Sequence, residues 1–324
     1  VITLSVVVPV RDAAPYIGDA LASLARNAQP DFEFIVVDDG SVDATGRVIE
    51  DWRGDLPGLT VLRNQTPVGL ADARNQGLSL ASGRYVTFLD GDDWIVPGYL
   101  RRLVAAIEEL GCDFVRVDHV QAEGRKRVLH RAPQARRGAV LNPRDGVLPV
   151  EGKSMVDYPY AWAGIYRREL GELLTFPGHL HTAEDRPWIW RLHARARSYA
   201  VVSLAGVFYR RQVPGSLTQT GDERQLHFFD AFDLVFKEID DIPEYLPKAV
   251  RTFCALLAHH LELADRFTPE LRARFAERGA DALRRLPSEL LAATVARLET
   301  ERAEALRTLV PELPGSRRIR LEDE

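Results

Sequence analysis

Cysteine is scarce in this 324-residue chain, which has only Cys112 and Cys254, far apart in sequence. That excludes a disulfide-dense secreted scaffold, and we expect two small buried thiols in a reducing, cytoplasmic setting. No stretch approaches the roughly 20 consecutive apolar residues of a membrane span. The opening VITLSVVVPV is too short for a signal peptide, lacks its charged flank, and reads as a buried strand. Positive charge is not in excess either. Lys and Arg total 42 against 47 Asp and Glu, a net charge of −5, so no global basic field draws nucleic acid. Zinc-spaced Cys/His clusters, the G-x-S-x-G elbow, the G-x-x-x-x-G-K-[ST] phosphate loop and EF-hand spacing are all missing. Repeats and low-complexity tracts are absent.

What is present is an ordinary globular composition, 46% hydrophobic and 27% charged, in a chain long enough for one large domain with an appendage or for two modest domains. From residue 4 to about 120 the pattern alternates. LSVVVPV, FEFIVVDDGS, LTVLRNQ, GRYVTFLD and CDFVRVDHV read as strands, separated by stretches of helical spacing. Asp43 suits a helix N-cap, Pro97 a helix start and Gly111 a helix end. Such alternation predicts an α/β fold: right-handed crossovers, a mostly parallel sheet and helices on both faces. Ligands of these sheets collect at the carboxyl ends of the strands. Residues 121–150 are basic and Gly/Pro-interrupted, as in an exposed hairpin. YPYAWAGIYRREL and AEDRPWIWRLHARA look helical in part, and SYAVVSLAGVFYRRQ looks like one or two strands. We place a boundary near 220, giving a catalytic domain over 1–220 and a helical extension over 221–324, where glycine nearly disappears. The helices of that extension are expected to pack on the domain, to mediate self-association, or to face a membrane or polymer.

Two acidic clusters fall at strand ends. In VVDDGS, Asp38 and Asp39 follow a buried strand, where a carboxylate can accept from the N–H of a flat base or simply cap the loop. In VTFLDGDDW, Asp90, Asp92 and Asp93 crowd four positions, an arrangement whose repulsion calls for a positive partner. A hard divalent ion, Mn2+ or Mg2+, takes one or two carboxylates plus substrate phosphates. Asp90 and Asp92 are the expected metal ligands, and Asp93 is left without an assigned role.

These clusters, in their order and spacing, resemble the inverting family 2 glycosyltransferases of the Rossmann-like GT-A fold. The matching pieces are LSVVVPVRDAAPYIGDALASL, FIVVDDGSVDAT and LADARNQGLSLASGRYVTFLDGDDW. The resemblance implies a nucleotide-sugar donor, favouring a UDP-linked one, and a glycan, polymer or small-molecule acceptor. Pro9 and Val10 would line the nucleotide pocket, Asp38 and Asp39 bind the base, and Arg74 contact pyrimidine or phosphate. Asp90 would sit near ribose and metal, and Asp92 would close the D-x-D motif. At the first turn, Arg11-Asp12 stands where many relatives have Tyr-Asn.

The likeness extends to HTAEDRPWIW. An inverting transfer needs one carboxylate to deprotonate the acceptor hydroxyl, and Asp185 is the expected base, with Glu184 on the sugar hydroxyls. In FYRRQVPGSLTQ, Arg210, Arg211 and Ser216 are candidates for holding the leaving diphosphate, since forked guanidinium donors suit phosphate oxygens. Trp162 and His181 are acceptor-side candidates, with core packing the competing role for Trp162. A site at the inner face of the cytoplasmic membrane fits such an enzyme. Two other readings remain: nucleotidyltransfer to a sugar phosphate, which wants a Gly-rich basic loop after the first strand, and a non-catalytic carbohydrate-binding protein. PVRDAAPY has one Arg and no Gly before Gly18.

Overall fold

The computed structural model describes residues 1–213 and 221–313. Two compact units divide the chain: Val1–Val147 with Lys153–Ser216, and Leu148–Gly152 with Leu217–Glu324.

The first unit begins with strands and helices in alternation: β1 (Leu4–Val10), α1 (Ile17–Ala25), β2 (Phe32–Asp38), α2 (Thr45–Asp51), β3 (Leu59–Arg63), α3 (Leu70–Leu80) and β4 (Tyr85–Phe88). It continues through β5 (Trp94–Ile95), α4 (Tyr99–Leu110), β6 (Phe114–Glu123), β7 (Lys126–His130), β8 (Gly164–Arg167), α5 (Asp185–Arg195) and β9 (Tyr199–Arg210). The strands form one sheet in the order β3-β2-β1-β4-β8-β6-β9-β5, with β7 paired to β6. β1 is buried along its whole length, as an apolar central strand must be when covered on both sides. Its register with β2 sets Val10 opposite Asp38, so the first acidic pair leaves the sheet beside the end of β1.

The sheet is mixed: the longer ladders are parallel, as expected, and shorter antiparallel ones are added to them. Among the described residues, the pairs β1–β2, β1–β4, β2–β3 and β6–β9 are parallel. The pairs β4–β8, β5–β9, β6–β7 and β6–β8 are antiparallel. Two of these antiparallel pairs come from β8, a four-residue strand from the stretch expected to be partly helical, which inserts between β4 and β6. The stretch then tightens into a 3-10 turn over Arg168–Leu174. The basic 121–150 region does open as a hairpin, β6 to β7, turning at Gly124 with φ +52°.

Helix α3 packs on β1 and β2, and Gly77 permits the approach: a methyl group there would fall 2.3 Å from Cγ1 of Val7. Helix α4 ends on Gly111, whose left-handed φ of +64° closes it as expected.

The second unit contains α6 (His227–Glu238), α7 (Leu246–Glu262), α8 (Pro269–Arg285), α9 (Ser288–Val295) and α10 (Thr300–Leu309). Helices α9 and α10 are parted where Glu299 turns extended at ψ 142°. Aromatic rings fill the interior: Phe228 stacks on Phe253 at 5.5 Å, and Phe229 meets Phe275 at 4.8 Å. The segment Leu148–Gly152 joins this unit through Lys248, whose Nζ donates to the Gly152 carbonyl at 2.7 Å. Arg251 and Arg297 reach Glu151 at 3.3 and 3.5 Å. Both cysteines are free and buried. Among the described residues no helix is long and apolar enough to cross a membrane.

Gly77→Ala is expected to cost roughly 1–3 kcal/mol by overpacking α3 against β1, read in urea unfolding. Adding Val7→Ala in the same chain should return part of that loss; no recovery would mean that the contact is not what makes glycine necessary.

Candidate active site

Four strand-end segments converge. The turn after β1 carries Asp12 at φ +48°, a left-handed conformation that Asp tolerates. Its N–H donates to Ser41 Oγ at 3.0 Å, and its Oδ1 accepts from the Val42 N–H at 2.8 Å, knitting the turn to the VVDDGS loop. Within that loop, Asp38 Oδ1 accepts from the Ser41 N–H at 3.0 Å, and Oδ2 lies 3.4 Å from Arg63. Asp39 takes three donors: Asn64 Nδ2 and the N–H of Val68 on one oxygen, the N–H of Gly69 on the other. Both carboxylates therefore brace the loops around the strand ends. Pro9 and Val10 lie buried at the end of β1, with Val10 packed so close to Gly91 that a methyl group there would fall 2.6 Å from it.

The positive partner that the crowded DGDDW loop calls for is Arg74, in the second turn of α3. Its Nη2 donates to Asp90 at 2.9 Å and its Nη1 to Glu184 at 2.8 Å. The guanidinium is 4% exposed and lies 5.1 Å from the centre of the Phe176 ring. Phe176 in turn stacks on Trp188 at 5.2 Å, and Trp188 Nε1 donates to the Leu174 carbonyl at 3.2 Å. A guanidinium this buried is tolerated because both faces of its charge are met. The two acidic motifs, one on each side of the site, are thereby held to a single cation.

Glu184 and Asp185 open α5, immediately after Ala183, a non-glycine residue at φ +59°. Pro187 sits within the first turn, where no helix hydrogen bond is lost. Glu184 is buried and Asp185 half-buried. Burial pushes the Glu184 carboxyl up to about 7, against the pull of Arg74, with Asp185 adding repulsion. Burial likewise raises Asp185, while Arg186 and Arg74 oppose the rise.

Asp92 is raised to about 6, first by burial and then by Asp90. Asp93 is fully buried and pushed well above the usual carboxylate range by burial and by its two acidic neighbours. It accepts from the backbone N–H of Arg210 at 2.7 Å, which ties the acidic loop to the end of β9.

The two arginines named as diphosphate candidates make contacts within the protein. Arg210 donates from Nε to the Asp92 carbonyl and from Nη2 to Asp19, both at 2.8 Å, and lies over the rings of Trp94 and Tyr16. Arg211 is exposed and donates to the Tyr209 hydroxyl at 3.1 Å. Ser216 lies outside the described residues. Trp162 is buried, stacked on Tyr160 at 4.8 Å, in keeping with its packing role. His181 is exposed and rests on Gly69, where a methyl group would fall 2.7 Å from Nδ1, so it borders the loop that Asp39 braces. Sequence reasoning did not single out Phe176 or Tyr160, which no motif marks, nor did it foresee that Arg74 spans both acidic pairs.

A mixed sheet with acidic loops at the ends of its parallel strands and an acidic pair opening the facing helix is the GT-A architecture. The description "Glycosyl transferase family 2" matches residues 5–173, and the chain belongs to that family. The uncharacterized glycosyltransferase EpsJ of Bacillus subtilis is 30% identical over 224 residues, 67% of this chain and 63% of EpsJ. The poly(ribitol-phosphate) beta-N-acetylglucosaminyltransferase TarS of Staphylococcus aureus is 29% identical over 244 residues, 72% of this chain and 40% of TarS. The chain thus spans less than two thirds of the length of these relatives. The crystal structure of TarS 1–349 in complex with UDP-GlcNAc superposes with a TM-score of 0.73 at 24% identity, covering 95% of this chain and 90% of that one.

Removing the shared cation should be felt as lost stability. Arg74→Met is expected to destabilise the protein by roughly 3 kcal/mol, because two carboxylates lose their buried partner. Arg74→Met with Glu184→Gln should recover part of this in the same denaturation assay; equal losses in both would place the defect elsewhere.

Proposed function

We propose that this protein is an inverting glycosyltransferase that moves a sugar from a UDP-linked donor to a hydroxyl of a cell-surface glycan or polymer. The observation that carries the reading is the Arg74 bridge, which ties the D-x-D loop at Asp90 to the acidic pair at Glu184 in one buried site. Support for a UDP-sugar donor comes from the structural neighbours solved with UDP and with UDP-GlcNAc. Support for a polymer acceptor comes from relatives named for poly(ribitol-phosphate) and teichuronic acid synthesis.

In this mechanism Asp185 accepts the proton of the acceptor hydroxyl. The oxygen bonds to the anomeric carbon as the bond from that carbon to the diphosphate breaks, and the electron pair departs with the diphosphate. Raised by burial, Asp185 is a stronger base than a carboxylate in water. Glu184, fixed by Arg74, orients the donor sugar by its hydroxyls. Asp39, bracing the backbone around Val68 and Gly69, keeps the base-binding loops in place. Arg210 fixes the backbone of the acidic loop.

The residues present fit a divalent ion. Asp90 and Asp92 are hard oxygen donors, and the Asp92 carboxylate has its own backbone N–H and no side-chain donor among the described residues. These residues gather no group of three or more His, Cys, Asp or Glu around a metal position, so the remaining ligands would come from the donor's phosphates. Asp90 and Asp92 would hold Mn2+ or Mg2+, which when bound supplies charge neutralisation to the diphosphate.

UDP release from a panel of UDP-sugars, with Mn2+ and candidate acceptors, tests the proposal. Asp185→Asn should lower turnover roughly a hundred- to ten-thousand-fold while donor binding persists. Undiminished transfer would remove Asp185 from its role.

The pH profile follows from the same burial. Activity requires ionised Asp185, so it should fall as pH drops, with the acid limb above the ordinary Asp value of about 4. Glu184→Gln removes a neighbouring negative charge and leaves more of Arg74 to Asp185. Both effects favour the ionised base, so the limb should move to lower pH even where the maximal rate falls.

A further inference from the structure

Successive residues of a helix point about 100° apart, so a run such as Arg74 to Gly77 in α3 reaches several elements at once. Arg74 meets the two acidic groups and Gly77 meets β1. Asn75 and Gln76, both half-buried, reach two further elements.

Asn75 grips the main chain of Phe176 with both ends of its amide. Its Nδ2 donates to the Phe176 carbonyl at 2.8 Å, and its Oδ1 accepts from the Phe176 N–H at 2.8 Å. A side-chain amide carries a donor and an acceptor side by side, so it can satisfy one residue's backbone as a neighbouring strand would. The gripped segment needs such a hold. Residues 175–184, between the 3-10 turn and α5, belong to no helix or strand, so no ladder fixes them. At its start, the Thr175 carbonyl accepts from Arg191 of α5 at 2.8 Å. Beyond Phe176, Gly178 lies so close to the Asp72 carboxylate that a side chain would collide with it, and His181 rests on Gly69. Positions 69, 72 and 75 are three apart and neighbours on α3. The segment therefore runs along that helix, against its direction, up to Glu184 and Asp185.

Gln76 turns elsewhere. Its Oε1 accepts from Asn64 Nδ2 at 3.0 Å, and the same Nδ2 donates to Asp39 at 2.8 Å. Asp39 in turn takes the backbone N–H groups of Val68 and Gly69.

We infer that Asn75 is a positioning residue for the transfer step: acting through Phe176, it fixes the segment that ends in Glu184 and Asp185. Gln76, acting through Asn64 and Asp39, steadies the loops on the base side instead. Adjacent residues of one helix thus serve turnover and donor binding separately. This rests on the transferase reading and adds to it two residues that do not touch substrate.

Two measurements on the full chain test it. Hydrogen exchange needs no turnover. In Asn75→Ala the amides of 176–185 should exchange about ten-fold or more faster, with those of β1 and β4 unchanged. Asn75→Asp keeps the oxygen that accepts from the Phe176 N–H but sets a second oxygen against its carbonyl, so it should show the same loss without leaving a cavity. Gln76→Ala should leave the 176–185 amides unchanged. The second measurement pairs UDP release with calorimetric titration by UDP. Both Asn75 variants should lower kcat about ten-fold or more while Kd for UDP holds, because a small misplacement of the base is costly. Gln76→Ala should raise that Kd about three-fold or more while kcat holds. Unchanged exchange over 176–185 in both Asn75 variants overturns the inference, as does faster exchange spread over β1 and β4, which would mean general loosening. Equal losses of kcat and UDP affinity in the Asn75 and Gln76 variants overturn the division between them. If the unaltered protein releases no UDP, the transferase reading fails and the part in turnover falls with it, whereas hydrogen exchange still decides whether Asn75 holds the segment.

Discussion

Arg74 is a full positive charge taken out of water, and the rest of the site is arranged around the cost of putting it there. An unpaired buried guanidinium would cost several kcal/mol. The chain meets this with two carboxylates that lie 16 and 110 residues away in sequence. Satisfying the arginine therefore brings the acidic loop after β4 and the start of α5 to one point. Phe176 and Trp188 close the side of the guanidinium that no carboxylate covers, so its position is set by shape as well as by charge. The same cation restrains Glu184 and Asp185 from rising further, leaving them poised between the behaviour of a surface acid and that of a buried one.

Arg210 does similar work for the other half of the acidic loop. Its main chain occupies Asp93, its side chain occupies the carbonyl of Asp92, and its plane lies over Trp94 and Tyr16. With Arg74 and Arg210 both committed to protein carboxylates and carbonyls, Asp92 is left, among the described residues, as the acidic side chain of the loop that accepts a hydrogen bond from no other residue. Architecture and chemistry are thus divided among neighbouring aspartates: Asp93 inward to β9, Asp90 to Arg74, Asp92 outward.

The alternation of apolar strands and helical spacing made the first half of the sheet legible, because β1 to β4 and their helices are specified locally. The acidic pairs were legible for the same reason, each being a short stretch at a strand end. Insertion of β8 was not, since four residues of YAWAGIYRREL carry too little periodicity to announce an antiparallel partner for strands far away in sequence. Arg74 could be picked out from ARNQG as functional, yet its partners depend on contacts across 110 residues, which no spacing rule encodes. Arg210 illustrates the limit of composition: two adjacent arginines suggest phosphate, whereas one is spent inside the fold. Tyr160 had no signal at all, because its ring packs against His119 and Tyr209, both far away in sequence.

The segment Leu148–Gly152 is made long before the helices it belongs with, and it is fastened to them by Lys248, Arg251 and Arg297. The second unit is consequently not a contiguous stretch of gene. An exchange of C-terminal regions between relatives by recombination would deliver the helices without the five residues that complete them, and the incoming helices would meet a foreign loop. Inheritance of the helical unit is therefore tied to a short stretch lying inside the transferase unit, and the two must change together.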